Sequence, residues 1–266
     1  MAAPAHLPPR VAVVQHTAVC PPGRVGRWLE EDGCAVDVFS CFAGDGLPAS
    51  LDPYAALVVL GGEMGAYDDA LHPWLTGTKA LLREAVAAEV PTLAICLGLQ
   101  LLAVASGGRV APAAAGPQLG VRAVEPTAAA TADPLFAGLP SGAVGVHWNN
   151  DLVVDVPPDA TVLSTSAGTV QALRLGPVAW GVQHHPEVDV DTLRLWAEAD
   201  VAAGLLDAAT ATARLAEVER HDAAVAQVWR GAVGRFAAFV RPATSPGRDE
   251  WGASALRRAP GADGGR

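Results

Sequence analysis

One cysteine, Cys96, ends an apolar run and has a small residue two positions away on each side, Ala94 and Gly98. Small residues at this spacing are typical of a sharp turn from a strand into a helix, because bulky side chains would collide as the backbone doubles back. A cysteine on such a turn lies at a helix N-terminus, where unpaired N–H groups and the helix dipole favour a thiolate. Cys96 is therefore a candidate nucleophile, and the alternative is an inert buried thiol.

A second segment, residues 183–187 (QHHPE), offers a base and a carboxylate for that nucleophile. Histidine can take up and return a proton near neutral pH. His185 precedes Pro186, whose ring restricts the backbone of the residue before it. Glu187 could hold the imidazole in the useful tautomer, as in other nucleophile–histidine–carboxylate sites. The predicted chain order of the three groups is Cys96, His185, Glu187.

A third segment, residues 60–65 (LGGEMG), could stabilise the negative oxygen that forms when a thiolate attacks a carbonyl. Such an oxyanion needs hydrogen-bond donors aimed at it. The N–H of Leu97, directly after the nucleophile, is one candidate. The second is Gly62, since a residue without a Cβ lets its backbone approach a substrate closely.

The composition narrows the classes of partner. The formal charge is −10 and the isoelectric point is near 5.1, which argues against nucleic acid or an anionic membrane as the main partner. No apolar run is long enough to span a bilayer, and the N-terminal decapeptide has no secretory pattern. The remaining cysteines, Cys20, Cys34 and Cys41, match neither a metal site nor a disulfide framework and are interpreted as small buried hydrophobes. We expect a cytoplasmic protein with no metal and no cofactor.

Strands and helices alternate along the first part of the chain, which predicts right-handed crossovers and a mostly parallel sheet. The predicted strands are 10–15, 35–40, 55–62 and 91–95, with a helix ending at Gly33 and another over 74–88. Shorter strands between residues 107 and 186 extend the sheet, with an antiparallel ribbon at one edge. The fold class is therefore α/β: a flavodoxin-like three-layer sandwich with a central, mostly parallel sheet and C-terminal helices.

The C-terminal part is predicted to be helical from Asp189, with Asp191 or Thr192 as the cap. Apolar residues then recur at helical spacing and indicate a core-facing stripe; they are Val225, Val228, Trp229, Val233, Phe236 and Val240. We predict a domain over 10–188, a helical extension of it over 189–241, and a disordered tail over 242–266.

Five segments together resemble the class I glutamine amidotransferases. They are AICLGLQ at 94–100, GVQHHPE at 181–187, LGGEMGAYDD at 60–69, HPWL at 72–75 and VHWNND at 146–151. The set is most similar to stand-alone proteins that resemble the amidotransferase domain of GMP synthase. The similarity runs from about Val11 to Val240.

The resemblance implies an enzyme that hydrolyses the side-chain amide of L-glutamine to glutamate and ammonia through a γ-glutamyl thioester. By motif position, Cys96, His185 and Glu187 match the family's catalytic triad, and Gly62 and Leu97 its oxyanion hole. Residues expected to border or bind the substrate are Gly61, Gln100, His147, Trp148 and Asn149, although His147 and Trp148 could simply shape the pocket wall.

Three positions depart from the family pattern. His184 stands where phenylalanine is common, Asn149 where the nearest relatives often have a second histidine, and Gln118 where glutamate is frequent. None of them removes the triad. They leave the substrate and the fate of the ammonia open, because the HWNND segment is expected to form a loop that borders the pocket.

Two other functions use the same scaffold. One is a γ-glutamyl peptide or γ-glutamyl amine hydrolase with a roomier pocket, and the other is a regulatory protein whose catalytic residues are vestigial. The chain has no phosphate-binding GxxxxGK[ST] loop of a synthetase. We therefore expect either a separate synthetase partner or a stand-alone hydrolase. The helical region after Asp189 could form the docking face for a partner, and a homodimer would use the same apolar surface.

Overall fold

A computed structural model describes residues 7–240, which form twelve strands and five α-helices. The strands are β1 (Arg10–Gln15), β2 (Ala35–Ser40), β3 (Ala56–Val59), β4 (Thr92–Ile95), β5 (Arg109–Pro112), β6 (Gln118–Ala123), β7 (Glu125–Pro126), β8 (Val144–Asn149), β9 (Asp151–Asp155), β10 (Ala160–Ser166), β11 (Thr169–Leu175) and β12 (Ala179–Val182). The helices are α1 (Gly23–Glu31), α2 (Trp74–Ala87), α3 (Leu97–Ala105), α4 (Val190–Ala202) and α5 (Ala208–Val240).

Eight strands form one sheet in the order β2-β1-β3-β4-β12-β11-β10-β7. The first five strands in this order run parallel to one another, whereas β11, β10 and β7 add to the edge as an antiparallel ribbon. This arrangement confirms the predicted α/β fold with a central sheet that is mainly parallel. Its consequence for function is that β4 and β12 are neighbours, although nearly 90 residues separate them in the chain.

Helices cover the sheet on both faces, which explains why β3 (ALVV) and β4 (TLAI) are buried at every position. On one face α1, α4 and α5 contribute Leu29, Trp196 and Phe236 to the core. On the other face α2 and α3 contribute Leu82 and Leu101. Each such leucine, fully withdrawn from water, stabilises the fold by roughly 1.5–3 kcal/mol.

Three local predictions are wrong. The strands at 109–112 and 118–123 do not extend the central sheet, because β5 and β9 form one separate two-stranded sheet and β6 and β8 form another. The VHWNND segment is not a loop: it forms β8 and the start of β9, with β8 paired antiparallel to β6 and β9 paired to β5. The cap of α4 is Asp189 itself, because its carboxylate accepts a hydrogen bond from the N–H of Thr192. Asp191 and Thr192 lie inside the first turn.

Other predictions about the helices hold. Gly33 follows α1 with a φ of +85°, a conformation that glycine adopts without strain, and ends that helix as expected. The apolar stripe of α5 is buried at Val225, Trp229, Val233, Phe236 and Val240, and Val228 packs against it. Within residues 7–240, no helix combines the length and hydropathy that crossing a membrane requires. The predicted tail lies outside the described residues, and the domain boundaries stay predictions.

Candidate active site

The carboxyl ends of β4 and β12 bring the cysteine and histidine segments together. Ile95 and Val182, the last residues of the two strands, are paired in the parallel register. The N–H of Cys96 donates a 2.8 Å hydrogen bond to the carbonyl of Val182. The groups that follow the two strands therefore meet at one edge of the sheet, where open α/β sheets bind their ligands.

Cys96 occupies the tight bend that its flanking residues predict. Its φ of 52° and ψ of −106° are strained for a residue with a side chain. Two residues further on, a Cβ on Gly98 would lie 2.2 Å from the carbonyl oxygen of Val59, so only glycine fits there. Leu97 begins α3 directly after the cysteine, and the Cys96 thiol is 5% exposed.

His185 and Glu187 form a buried pair. The imidazole Nδ1 lies 2.7 Å from Glu187 Oε1, and both side chains are almost fully withdrawn from solvent. A Cβ on Gly61 would lie 3.1 Å from His185 Cε1, so this glycine packs against the ring. Burial alone lowers the pKa of His185, but the negative charges of Glu187 and Cys96, together with the hydrogen bond between Nδ1 and Glu187, outweigh it and raise that pKa.

The start of α1 holds the backbone of Glu187. The N–H of Arg24 donates to the Glu187 carbonyl at 2.8 Å. The Arg24 guanidinium also donates to the Val188 carbonyl and forms a two-pronged pair with Asp222 of α5, at 2.7 and 2.8 Å. Because the backbone of Glu187 is held in this way, its carboxylate keeps a fixed position relative to the imidazole that it pairs with.

Cys96 and His185 face one pocket of about 120 Å³. His185 Nε2 is buried and has no hydrogen-bond partner among the described residues. The Cys96 thiol accepts a 3.5 Å contact from the amide of Gln183, and it is close enough to His185 to raise the pKa of the imidazole. Gly62 lines the same pocket. Leu97 is the first residue of α3, whose N–H lacks an intrahelical acceptor.

The predicted substrate-binding residues have different positions. Trp148 lines the pocket. His147, its neighbour in β8, is fully buried and does not line it, and Gly61 contacts the His185 ring. Gln100 and Asn149 both donate to the carbonyl of Asp151, at 3.0 and 3.1 Å, which ties α3 to the β8–β9 turn. The pocket lining contains neither of these two amides.

One wall of the pocket was not foreseen in the sequence. It comes from α4, through Leu195, Trp196, Ala199 and Asp200. The Trp196 ring meets the His185 ring edge-on, with centroids 4.8 Å apart, and its indole N–H donates to the Val19 carbonyl. The sequence predicts a helix from Asp189, but periodicity does not say which neighbour a helix covers.

Cys20 belongs to the buried core, as interpreted, but it also reaches the pocket. It is 8% exposed and lines the pocket that contains Cys96. Burial first, and then the negative charges of Glu187 and Cys96, raise the pKa of the Cys20 thiol. Cys20 is therefore a poor candidate for a second nucleophile.

Behind the pocket, His147 and His184 form a closed cluster with Trp229 of α5. The centroid of the His184 ring is 4.0 Å from the centroid of the Trp229 ring and 5.9 Å from that of the His147 ring. Burial, followed by the positive charges of neighbouring side chains, lowers the pKa of His147 to about 3 and that of His184 well below its usual value. In the part of the chain that the structure describes, no group of three histidine, cysteine, aspartate or glutamate side chains could hold a metal ion.

The fold has clear counterparts among solved structures. A glutamine amidotransferase from Thermotoga maritima superposes with a TM-score of 0.76 at 28% identity, covering 87% of this chain and 99% of that one. The α/β fold and the pocket at the ends of β4 and β12 therefore define the architecture of an amidotransferase.

Sequence comparisons define the family. The model for "Glutamine amidotransferase class-I" matches residues 25–194, so the chain belongs to that family. Glutamine amidotransferase-like protein YfeJ of Salmonella typhimurium is 29% identical over 69% of this chain and 78% of its own length. Gamma-glutamyl peptidase 5 of Arabidopsis thaliana is 28% identical over 61% of this chain and 66% of its own length.

A shorter match connects the chain with a larger protein. A GMP synthase of Thermomicrobium roseum is 40% identical over 99 residues, which are 37% of this chain and 18% of the synthase. The predicted resemblance to the amidotransferase domains of GMP synthases is thus confirmed.

Proposed function

We propose that this protein hydrolyses the side-chain amide of L-glutamine to glutamate and ammonia, with Cys96 as the nucleophile. The observation that carries the proposal is the buried His185–Glu187 pair, 2.7 Å between Nδ1 and Oε1, in the same pocket as a cysteine held on a strained bend. A cysteine, an imidazole and a buried carboxylate in this order of contact are the components of a nucleophile activated by an oriented base.

The proposed reaction has two halves. In the first, the Cys96 sulfur bonds to the amide carbon, the C–N bond breaks, and protonated His185 donates its proton to the departing ammonia. In the second, His185 takes a proton from water, the resulting oxygen nucleophile attacks the thioester carbon, and the C–S bond breaks to release glutamate. Glu187 stabilises the imidazolium that donates its proton in the first half and forms again in the second.

Both tetrahedral intermediates carry a negative oxygen. The N–H groups of Leu97 and Gly62 are the proposed donors, since Leu97 begins α3 and Gly62 lines the pocket. A helix N-terminus adds a favourable dipole to these hydrogen bonds. We also propose, from motif position, that Gln100 and Asn149 bind the amino-acid end of the substrate and that Trp148 forms part of the pocket wall.

A second candidate is hydrolysis of γ-glutamyl amines or peptides. The pocket does not end at Cys96 but continues to Leu195, Ala199 and Asp200 of α4, which leaves room beyond a simple amide nitrogen. The similarity to a gamma-glutamyl peptidase agrees with this reading. Cleavage of such compounds would use the same thioester, so the two candidates differ only in the leaving group.

The fate of the released ammonia stays open in this proposal. Ammonia is protonated and lost in water, so transfer to a synthetase would need a partner docked on this chain; a stand-alone hydrolase or a homodimer would not. A cytoplasmic location is likewise an expectation from the sequence.

The test combines product release with labelling of the nucleophile. Purified protein should release ammonia and glutamate from L-glutamine, alone or with candidate partners added. 6-Diazo-5-oxo-L-norleucine, a glutamine-like electrophile, should add one label, located by mass spectrometry at Cys96. Cys96→Ala should abolish both signals, whereas Cys41→Ala, which removes a buried thiol outside the pocket lining, should keep them. Labelling that persists in Cys96→Ala, or wild-type protein that never labels or reacts, would leave a regulatory protein as the better description.

A further inference from the structure

The pocket that contains Cys96 and His185 has two carboxylates in its lining, Glu63 and Asp200, and no lysine or arginine among its lining residues. We propose that these carboxylates bind a primary ammonium group on the amine that leaves, so that γ-glutamyl amides of diamines are preferred substrates. This inference rests on the proposed function, because it assumes that Cys96 attacks a γ-glutamyl carbonyl.

Neither carboxylate is neutralised within the described part of the chain. The carboxylate of Asp200 accepts one hydrogen bond, 2.8 Å long, from the indole N–H of Trp148, and it has no ion pair there. Glu63 has neither a hydrogen bond nor an ion pair with any described residue. Other acidic side chains, such as Asp32 and Asp222, are paired with arginines. A cation entering the pocket would therefore meet two uncompensated negative charges.

Apolar side chains also line this pocket. They include Val19, Leu195 and Ala199, of which Leu195 is 56% exposed. A chain of methylene groups would cover this surface, and its terminal ammonium would reach the carboxylates. The leaving group that fits is thus an aliphatic amine with a cationic end.

The position of His185 decides which end of the substrate lies here. Its Nε2 is buried, lines the pocket and has no partner among the described residues, so it is free to protonate the departing nitrogen. The amine must leave beside this atom. Trp196 of α4 packs on the same ring, which places the α4 wall on the side of the leaving group rather than at the amino-acid end.

The chemistry is that of the proposed function with a substituted nitrogen. The Cys96 sulfur bonds to the γ-carbonyl carbon, the C–N bond breaks, and His185 donates a proton to the diamine nitrogen. Water then cleaves the thioester and gives glutamate. The sum is γ-glutamyl diamine plus water to glutamate plus the diamine, and no oxidant or reductant takes part.

The experiment compares three γ-L-glutamyl amides of similar length. Their amines are 1,4-diaminobutane, pentylamine and 5-aminopentanoic acid, which end in an ammonium, a methyl and a carboxylate group. Glutamate release gives kcat/KM for each amide. We expect the ammonium substrate to exceed the methyl substrate by about tenfold, and the carboxylate substrate to be the poorest, because charges in a partly buried site act strongly on selectivity.

Two variants and one matched control locate the effect. Asp200→Asn keeps an acceptor for Trp148 and removes only the charge, so the ammonium-to-methyl ratio should fall towards one, and Glu63→Gln should lower it as well. Glu198→Gln removes a charge from the exposed side of the same helix, outside the pocket, and should keep the wild-type ratio. Raising the salt concentration should lower the wild-type ratio, because salt screens the charges.

Each contrary result has its own meaning. A wild-type ratio near one overturns the inference, as does an Asp200→Asn variant that slows all three amides equally, because the carboxylate then serves the substrate's own α-ammonium or the packing. Hydrolysis of glutamine but of none of the three amides also overturns it and leaves the proposed function intact. If nothing reacts and Cys96 does not label, the proposed function fails, and the inference fails with it.

Discussion

Two regions of the molecule are built around adjacent histidines and give them opposite properties. In the pocket region, His185 pairs with Glu187 at 2.7 Å, and its pKa is raised. In the closed cluster behind the pocket, His184 contacts Trp229 and His147, has no hydrogen bond among the described residues, and has a lowered pKa. Burial is the same in both regions, because both rings are almost fully withdrawn from water.

The comparison teaches that burial by itself does not make a histidine a base. Burial disfavours the charged imidazolium in both regions, and at His185 the negative charges of Glu187 and Cys96 reverse that effect. The cluster around His184 therefore serves as a packing element that keeps polar nitrogens neutral. In the pocket, the raised pKa of His185 favours the imidazolium form that the proposed reaction needs.

The largest expected effect comes from making the first region resemble the second. Glu187→Gln keeps the size of the side chain and its oxygen but removes the charge that raises the pKa of His185. That pKa should fall, as measured by NMR on protein with 13C-labelled histidine. The kcat for glutamine should drop by roughly 10²- to 10⁴-fold, the range found when an acid–base group or its orienting carboxylate is removed.

The same substitution changes the pH dependence of stability. A histidine with a raised pKa stabilises the fold fully below its unfolded value of about 6.5, and this contribution is lost as pH rises through the raised value. Wild type should therefore lose stability towards alkaline pH in urea titrations, and Glu187→Gln should lose less. Glu198→Gln is the charge-matched control for both measurements. Wild-type turnover in Glu187→Gln would show that the carboxylate does not support His185.

A smaller effect is expected when the cluster behind the pocket loses one of its two histidines, His184. His184→Phe should pack on Trp229 and remove a histidine whose lowered pKa opposes protonation in the folded state. Such a group stabilises the fold above its unfolded pKa, and the contribution is lost as pH falls towards the folded one. One histidine contributes a slope of about 1.4 kcal/mol per pH unit below roughly pH 6.5.

The measurement is the free energy of unfolding in urea between pH 8 and pH 5. The variant should lose less stability on acidification, and the slope of its unfolding free energy against pH should be smaller by the contribution of about one proton. His147 and His16, whose pKa values burial lowers to about 3 and about 4, should keep the rest of the slope. Turnover at pH 8 should stay within a few-fold of wild type. An unchanged slope would mean that His184 is not the neutral residue that its surroundings indicate.

The sequence was sufficient for those parts of the site that local rules determine. Gly98 beside Cys96 predicts the bend because no other residue can approach Val59 so closely, and the apolar runs of β3 and β4 predict buried parallel strands. The contact between His185 and Glu187 follows from their spacing of two residues. In each case the signal and the contact lie within a few positions.

Parts that depend on packing between distant segments were not predictable. Trp148 and Asp200 are 52 residues apart, and nothing local in either indicates the hydrogen bond that closes the pocket wall. The strand β8 was missed because His147 and Asn149 look like loop residues, whereas pairing with β6 and burial override their polarity. The α4 wall therefore required the structure.

The smallest expected effect comes from weakening α4, the helix over the pocket region, while α5, the helix over the cluster around His184, stays unchanged. Asp189 caps α4 by accepting hydrogen bonds from the N–H and the hydroxyl of Thr192, at 2.9 and 2.8 Å. Asp189→Ala should cost about 1 kcal/mol of unfolding free energy, the usual value for a lost cap. Asp189→Asn, which retains an acceptor, should restore most of it.

In Asp189→Ala, amide exchange should accelerate in the first turn of α4, the helix whose Trp196 packs on His185. It should not accelerate at Trp229 of α5, because α5 has its own contacts with the cluster around His184. Equal acceleration in both helices would mean that the two regions open as one unit, and the contrast between the adjacent histidines would then be one of charge alone.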